Sequence, residues 1–269
     1  MAVRHALYLP PFGELANPQV MVDIAVAAED VGWDAIFLWD HILRPGDSPM
    51  AIADTWILLA AIASATSQIR LGPMVTPLGR RRPQKVARES VTLDHLSQGR
   101  LTLGLGLGVD GGGELTSFGE VTDEKARGDR LDEGVDLLEQ LWSGAVVRHE
   151  GPSFVADGVQ FRPGPIQQPR IPLWFAARGG TKRPVRRAAH FDGLFPVETD
   201  LGQLEQMLEI VASERGNLDA FDVAVLAIPG VDLDAAEALG ATWAMWSFLE
   251  DEPAADVLAC VEAGPGGFG

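Results

Sequence analysis

Short apolar segments alternate with longer segments of helical spacing along the whole chain, and this alternation is what most constrains the fold. The candidate strands are residues 6–9, 35–39, 69–76, 101–107, 173–177, 193–197, 223–228 and 242–248. Most of them are continuously apolar, which is typical of parallel strands that are covered on both faces. Eight repeated βα units predict an α/β fold of the closed (β/α)₈ TIM-barrel type. A doubly wound open sheet is the structural alternative.

The segments between the strands carry signals for the start and the end of helices. Pro18 begins a segment of helical spacing that Gly32 ends, and Pro83 lies in the first turn of another. Thr181 is predicted to be the N-cap of the helix after the fifth strand. Further helices are predicted over residues 56–65, 127–142 and 253–262, with shorter helices after the fifth, sixth and seventh strands.

A segment rich in glycine and proline, residues 146–170, interrupts the alternation. Within it, residues 153–155 and 159–161 flank Asp157-Gly158, a dipeptide that favours a tight hairpin turn. We therefore expect a small hairpin excursion between the fourth helix and the fifth strand, and not a domain boundary. A barrel uses about 250 residues, so the 269-residue chain is predicted to be a single domain over 1–269.

The charge of the chain limits its partners. Asp and Glu number 38 against 21 Lys and Arg, which gives a net charge of −17. A field of this sign repels polyanions, so no nucleic-acid partner is expected. No apolar run approaches the ~18 residues of a membrane span, and no signal peptide is evident. Cys260 is the only cysteine, which excludes an intramolecular disulfide. These observations predict a cytoplasmic protein.

The number and spacing of reactive side chains argue against two kinds of catalysis. None of the three lysines lies inside a predicted strand, which disfavours a Schiff-base aldolase. The five histidines show no spacing typical of metal ligands, so no catalytic metal is expected.

The end of the second strand carries the first candidate for catalysis. Functional groups of such barrels lie at the C-terminal ends of the strands, and here the chain reads Trp39-Asp40-His41. Histidine exchanges protons near neutral pH. We take His41 as the candidate proton donor or acceptor and Asp40 as the group that orients or polarises it. The alternative is a structural histidine that caps a loop.

Glycine and proline within the third and fourth strands form a second feature. Gly72 and Pro73 indicate a bulge, or a close approach of the backbone to a ligand, with a plain kink as the alternative. The fourth strand ends in Gly104, Gly106 and Gly108, and residues 106–111 form a formal G-x-G-x-x-G pattern. No helix begins at its last glycine, so the dinucleotide fingerprint is weak. We interpret these glycines as room for a flat ligand at the barrel mouth.

A basic segment follows the fifth strand. Ala176, Ala177, Arg178, Gly179 and Gly180 precede a helix that carries Lys182, Arg183, Arg186 and Arg187. Cations at the start of a helix are disfavoured by its dipole, so this concentration in an acidic protein indicates a bound anion. Free backbone N–H groups and Arg178 predict a phosphate cradle. The alternative is a solvated basic face. The residues 80–82, all arginine, form a second cluster that could be a surface or a subunit contact.

Several segments together resemble the luciferase-like flavin-dependent oxidoreductases, a family that includes flavin monooxygenases and enzymes that use the deazaflavin F420. They are residues 28–34, 39–41, 71–83, 94–100, 104–108, 114–119, 165–174 and 188–193. The resemblance covers nearly the whole chain, and the order and spacing of the segments make it fairly specific.

This resemblance implies a (β/α)₈ barrel with the cofactor ring at the C-terminal mouth. It places His41 beside the reactive face, and Met74 and Val75 at a bulge with a non-proline cis peptide under the ring. Thr76 and Gly106 would line the pocket, and residues 176–180 would hold the cofactor phosphate. Both F420 and FMN fit, and the Asp-His pair favours F420. Relatives are often dimers, and the second helix, which bears Trp56, is the candidate contact surface.

Two positions depart from the relatives that oxidise sugar phosphates. Val109 stands where some of them carry glutamate, and acidic Glu198 follows the sixth strand. We therefore expect no sugar-phosphate dehydrogenase. The predicted function is an oxidoreductase that passes hydride to an organic substrate or, with reduced FMN, activates dioxygen. The alternatives are a non-catalytic flavin-binding barrel and a phosphate-binding barrel without flavin.

Overall fold

The structure is a computed structural model that describes residues 2–44 and 50–267. In these residues the strands are β1 (Arg4–Leu9), β2 (Ala35–Leu38), β3 (Arg70–Pro73), β4 (Thr76–Pro77), β5 (Leu103–Gly106), β6 (Val146–Glu150), β7 (Val155–Gln160), β8 (Leu173–Arg178), β9 (Gly193–Val197), β10 (Asp222–Ala227) and β11 (Trp243–Ser247). The α-helices are α1 (Pro18–Val31), α2 (Thr55–Ala65), α3 (Pro83–Leu96), α4 (Glu124–Trp142), α5 (Arg183–Ala189), α6 (Leu201–Arg215), α7 (Leu233–Leu239) and α8 (Ala254–Glu262).

Nine of these strands form one parallel sheet in the order β3-β2-β1-β11-β10-β9-β8-β5-β4. The two ends of the sheet, β3 and β4, are the two halves of the third predicted strand, and residues 74 and 75 join them. A parallel bridge between Leu71 and Leu101 links β3 to the segment before β5. The sheet is therefore a nearly closed barrel surrounded by helices, which confirms the predicted α/β barrel.

Side chains fill the inside of the barrel in layers, as expected for a fold of this type. Phe37, Trp174 and Trp243 pack together inside the barrel, with ring centroids 5.4 Å apart for the Phe37–Trp174 and the Trp174–Trp243 pairs. Partly exposed residues that pack against this interior cluster form the floor of the C-terminal mouth. This floor consists of the partly exposed residues Tyr8, Val75, Ala176, Val197 and Leu226.

The predicted starts and ends of the early helices are confirmed. The Asn17 side chain accepts a hydrogen bond from the Gln19 N–H at the start of α1, and Gly32 ends that helix at φ +89°. The predicted N-cap at Thr181 is wrong, because α5 is preceded by Lys182 and the Thr181 hydroxyl donates to the Arg178 carbonyl.

The helix after the sixth predicted strand is longer than expected. The 15 residues of α6 exceed the short helix that was predicted. Asp200 and Gln203 form a capping box at its start, and one of its faces buries apolar residues every three or four positions, so both the start and the body of the segment are stabilised as helix.

The hairpin excursion exists, but its strands differ from the prediction. The antiparallel pair is β6 with β7, and Asp157-Gly158 lies inside β7 instead of forming the turn. Gly158 has φ +64° at a register shift opposite Val147, as in a β-bulge. The turn lies at residues 151–154 because the Glu133 carboxylate accepts the backbone N–H groups of Ser153 and Phe154.

Trp56 itself contributes no exposed surface to α2, whereas its neighbour Ile57 is 69% exposed, so α2 as a subunit contact stays a prediction. The Trp56 side chain is buried, and its indole N–H donates to the Asp40 carboxylate at 3.3 Å.

Among the helices in the described part of the chain, none has the length and apolar character needed to span a bilayer. The single domain over 1–269 stays a prediction.

Candidate functional site

His41 lies in the loop after β2, at the C-terminal mouth of the barrel. Its ring packs against Phe12 and Trp39, with centroids 5.9 Å and 6.1 Å away, and 22% of its side chain is exposed. Its Nδ1 atom is 3.1 Å from an oxygen of Glu114. The structure therefore places an imidazole at the mouth, with one ring nitrogen fixed by a carboxylate.

Glu114, in the loop between β5 and α4, is the partner that sequence reasoning did not assign. Its buried carboxylate also accepts the backbone N–H groups of Ile42 at 2.6 Å and Leu43 at 3.1 Å. Burial raises the pKa of this carboxyl, but the hydrogen bonds from His41 and the two amides outweigh it, and the pKa lies below its ordinary value. Glu114 is thus ionised at neutral pH and holds both the imidazole and its loop.

The only sequence signal for Glu114 was its place in a segment of the family resemblance. A carboxylate that follows Gly111, Gly112 and Gly113 in a loop looks like a solvent-exposed charge. The loop is shaped by Asp110, whose half-buried side chain accepts the N–H groups of Leu115 and Thr116. That turn directs Glu114 inward, which spacing along the chain could not show.

Asp40 has a role different from the predicted one. Its buried carboxylate accepts hydrogen bonds from the Thr76 hydroxyl at 2.9 Å and from the Arg81 guanidinium at 2.7 Å. Within the described residues no hydrogen bond joins Asp40 to His41, so the expectation that Asp40 orients the imidazole is wrong. Neighbouring residues of an extended chain point to opposite sides, which separates the two side chains. Arg81, predicted as part of a surface cluster, instead neutralises Asp40.

The third predicted strand breaks at residues 74 and 75, and their peptide bond is cis, as the family resemblance implies. The glycines of β5 face this break. A Cβ atom on Gly104 would lie 2.5 Å from Met74 Sδ, and one on Gly106 would lie 2.6 Å from Val75 Cγ2. The glycines thus make room for the bulge of the neighbouring strand, which corrects their interpretation as open space for a ligand.

The remaining predicted pocket residues are divided between the mouth and the core. Val75 and Ala176 are partly exposed at the mouth, whereas Thr76 and Ala177 are buried, the latter among the residues that pack against the helices. Gly108 has φ +72°, and a Cβ there would lie 2.8 Å from Pro77. It therefore shapes the loop and contributes no side chain to the site.

The predicted phosphate cradle is more neutral than its sequence indicates. Arg178 Nε lies 3.3 Å from the Glu198 carboxylate, and both side chains are exposed. Arg183 pairs with Asp129 and Asp132 at 2.6 Å each, and Arg187 also pairs with Asp132. The expected concentration of unpaired cations is therefore absent in the described residues, because carboxylates of α4 and other elements pair with the arginines.

Within residues 178–182, the surface still has features that suit an anion. Arg178, Gly180 and Lys182 are exposed, and Gly180 has φ +76° with open space where a Cβ atom would stand. Gly179 is less available, because its N–H donates to the Val197 carbonyl and a Cβ there would overlap the Gln203 side chain.

Two polar side chains at the mouth are suited to bind a ligand oxygen. The indole N–H of Trp39 is buried and makes no hydrogen bond in the described part of the chain. Tyr8 lies beside it, with ring centroids 5.3 Å apart, and burial raises the pKa of its phenol well above the ordinary value of 10. Tyr8 therefore stays protonated, and both groups can donate to a ligand.

The described residues contain no cluster of His, Cys, Asp or Glu suited to a metal ion.

Curated relatives of the chain include enzymes that use F420. The F420-dependent glucose-6-phosphate dehydrogenase of Nakamurella multipartita is 33% identical over 178 residues, which is 62% of this chain and 48% of that protein. The enzyme of the same name from Gordonia bronchialis is 33% identical over 66% of this chain and 53% of that protein. The chain thus spans about half the length of these curated relatives.

Solved structures share the fold over most of the chain. An F420-dependent secondary alcohol dehydrogenase in complex with an F420-acetone adduct superposes with a TM-score of 0.83 at 18% identity, covering 100% of both chains. The F420-dependent tetrahydromethanopterin reductase of Methanopyrus kandleri superposes with a TM-score of 0.70 at 24% identity, covering 89% of this chain and 70% of that one.

An FMN complex shows the same barrel. The oxygenating constituent of a Pseudomonas putida diketocamphane monooxygenase superposes with a TM-score of 0.69 at 19% identity, covering 84% of this chain and 67% of that one. The model of the luciferase-like monooxygenase family matches residues 5–259. The match includes every strand of the barrel except the first residue of β1, so the chain belongs to the luciferase-like monooxygenase family.

Proposed function

We propose that the chain is an oxidoreductase that binds F420 or FMN at the C-terminal mouth of its barrel, with F420 favoured. The observation that carries the proposal is the His41–Glu114 pair, an imidazole held by an ionised carboxylate beside an apolar floor. The curated relatives named above use F420, which supports that choice. The FMN complex of the diketocamphane monooxygenase constituent keeps FMN as the second candidate.

The mouth fits a flat, conjugated ring. Its floor is apolar and partly exposed, formed by the residues Tyr8, Val75, Ala176, Val197 and Leu226. The indole N–H of Trp39, which has no partner among the described residues, would donate to a ring carbonyl oxygen, and this would remove a buried unsatisfied donor. Residues 176–180 would hold the phosphate of the cofactor, chiefly through Arg178 and the backbone at Gly180.

The chemistry is divided between the cofactor and the protein. A bound deazaflavin or flavin supplies the hydride acceptor or donor, and the protein supplies position and electrostatics. Glu114 occupies Nδ1 of His41, which leaves Nε2 as the nitrogen that exchanges a proton with a substrate oxygen. Asp40 accepts hydrogen bonds from Thr76 and Arg81 and so holds these two side chains in place.

Further parts of the proposal concern the chain as a whole. We infer a single domain over residues 1–269, a cytoplasmic location and a homodimer. We also propose that glucose 6-phosphate is not the substrate. Val109 stands where the resemblance places a glutamate in some relatives that oxidise sugar phosphates, and the carboxylate of Glu198 would repel a phosphate group.

The test is a fluorescence titration of the purified protein with F420 and with FMN. Submicromolar binding of one of them is expected, and binding of neither would overturn the proposal. A protein that binds cofactor but does not speed its oxidation or reduction with any added substrate would support a non-catalytic flavin-binding barrel instead. A protein that binds simple phosphate esters but no flavin would support the phosphate-binding alternative.

A further inference from the structure

We propose that the groove between α6 and α7 binds a positively charged, amphipathic helix of a partner protein. This groove lies in the outer, helical layer of the molecule and shares no residue with the barrel mouth, so the proposal does not depend on the cofactor or the chemistry inferred above. It rests on the apolar lining of the groove, on the unpaired carboxylates beside that lining, and on the charge of the surrounding chain.

The lining of the groove is mainly apolar. The groove has a volume of about 290 Å³, and its apolar residues are Leu208, Ala212, Leu218, Ala238 and Leu239. Leu208 on α6 and Leu218 in the loop before β10 each have a side-chain carbon 3.8 Å from the place where a Cβ atom on Gly240 would stand, so they converge at the end of α7. Except for Leu208, these residues are at least partly exposed, which leaves the lining open to an apolar ligand.

Two carboxylates also line the groove. Glu205 and Glu209 are exposed and stand one turn apart on α6. Neither forms an ion pair or a side-chain hydrogen bond with any residue in the described part of the chain. Like charges at this spacing on a helix repel each other. A cation supplied by a partner would remove that repulsion.

The surrounding chain makes this region strongly negative. Residues 199–269 contain 14 Asp and Glu and one Arg, so this part of the chain carries −13 of the net charge of −17. The single cation, Arg215, donates to the backbone carbonyls of Ala189 and Phe191 and is thereby held at the end of α6. No Lys or Arg follows it in the sequence. A field of this sign attracts a cationic partner and raises its rate of association.

These features together favour one kind of occupant. A second copy of the chain is disfavoured, because a two-fold contact through this groove would bring two acidic surfaces together. Nucleic acids and anionic membranes are repelled by the same charge. A small polyamine would pair with the carboxylates but would leave the leucines uncovered. An amphipathic helix satisfies both, since its apolar side chains fill the groove while flanking Lys or Arg pair with Glu205 and Glu209.

The experiment measures binding of a labelled peptide to the full chain by fluorescence anisotropy. The probe is a synthetic helix of about 18 residues, or about five turns, with leucines on one face and lysines on the other. The control probe has the same composition in scrambled order, so its charge is equal but it has no apolar face. We expect micromolar affinity for the amphipathic helix. The scrambled peptide should bind about tenfold more weakly, because burial of a single leucine side chain contributes about that factor or more.

Charge reversal on α6 locates the site. Glu205→Lys combined with Glu209→Lys should weaken binding of the amphipathic helix about tenfold, since each exposed ion pair contributes up to about fivefold. The matched control combines Asp256→Lys with Glu262→Lys on α8, a helix that packs against α1. Both control residues are exposed and form no ion pair among the described residues, so the net charge changes equally while the groove stays intact. The control should weaken binding less than about twofold, because salt screens distant charges.

Ala238→Gln tests the apolar part of the groove without a change of charge. Ala238 is exposed on α7 and lines the groove, so a longer polar side chain there should hinder the bound helix and weaken binding several-fold. Thermal unfolding of every variant checks that the fold is kept. The scrambled peptide provides a test on the unchanged protein if a variant does not fold.

Four results would overturn the proposal. Equal affinity for the scrambled peptide, or an equal loss of affinity in the α8 control, would show attraction by net charge alone. Wild-type affinity in Ala238→Gln would show that the helix does not occupy the groove. Absence of peptide binding, together with self-association that is abolished by charge reversal on α6, would make a second copy of the chain the occupant. Cofactor binding is measured separately, so none of these results bears on the proposed oxidoreductase function.

Discussion

The two sides of the barrel mouth hold their charges in different ways. We call the loops after β2 and β5 the His41 side and residues 176–187 the basic side. On the His41 side, Asp40 and Glu114 are buried and each accepts several directed hydrogen bonds. On the basic side, Arg178 and Glu198 form an exposed pair. Buried networks fix their members in place, whereas exposed pairs exchange partners at little cost. The His41 side is thus suited to chemistry and the basic side to reversible binding of an anion.

The largest expected effect that separates the two sides is that of His41→Asn. Removing a general acid or base lowers turnover about 10²-fold to 10⁴-fold. Cofactor affinity should change little, because the cofactor phosphate is proposed to lie on the basic side. The measurements are kcat with any substrate that speeds oxidation or reduction of the bound cofactor, and the dissociation constant of the cofactor.

His95→Asn is the matched control for this change. His95 is exposed on α3, and its ring contacts the Gly164 carbonyl away from the mouth. Its replacement should leave kcat unchanged. A His41→Asn protein with wild-type turnover would remove His41 from the mechanism.

Glu114→Gln should be the next largest change, and it tests whether the His41 side is rigid. A buried carboxylate that accepts three hydrogen bonds loses charge-assisted bonding when it becomes an amide, which costs about 1–3 kcal/mol of unfolding free energy. Denaturant unfolding at neutral pH measures this cost. Glu150→Gln, at an exposed position on β6, is the control and should be nearly neutral.

The pH dependence of stability gives a second measure of Glu114. Its pKa in the folded protein is lower than its ordinary value of 4.5. Its contribution to stability is therefore complete above that ordinary value and is lost as the pH falls through the lower value in the folded protein. The difference in stability between the wild type and Glu114→Gln should shrink over that acidic range. A difference that is constant with pH would show that the charge of Glu114 does not stabilise the fold.

The fold was predictable because parallel barrel strands are marked by local patterns. Continuous apolar runs, helix starts such as Pro18 and helix ends such as Gly32 depend on nearby residues, and each is confirmed. The hairpin register was not predictable, since the Asp157-Gly158 signal is outweighed by a tertiary contact from Glu133. Local turn preference is weak compared with such a contact.

Site residues were predictable only where the position of a single residue in the sequence carried the signal. His41 could be found from its place after a strand, and the cis peptide at Met74 from the family resemblance. The partner of His41 could not be found, because Glu114 is 73 residues away and reaches the imidazole through the shape of its own loop. The pairing of Arg183 with Asp129 was hidden for the same reason.

Two glycines, one near each side of the mouth, allow the cost of steric overlap to be compared with the cost of a positive φ angle. Gly106→Ala would place a methyl group 2.6 Å from the stiff Val75 side chain, so we expect a loss of about 1–3 kcal/mol. Gly180→Ala meets open space but has φ +76°, so we expect about 1 kcal/mol. Denaturant unfolding of both variants measures the difference. A larger loss for Gly180→Ala would contradict the view that the His41 side is the more tightly packed.

The smallest expected effect is that of Glu198→Gln, which frees Arg178 on the basic side. Exposed ion pairs contribute about 0.2–1 kcal/mol, so release of Arg178 should tighten binding of a phosphate-bearing cofactor by no more than about fivefold. The gain should shrink as salt is added, because both groups are exposed. Glu214→Gln is the matched control, since Glu214 pairs with Arg186 at the same 3.3 Å beyond the proposed cradle. An equal gain in both variants would indicate a general effect of net charge, whereas a gain confined to Glu198→Gln would place the anion beside Arg178.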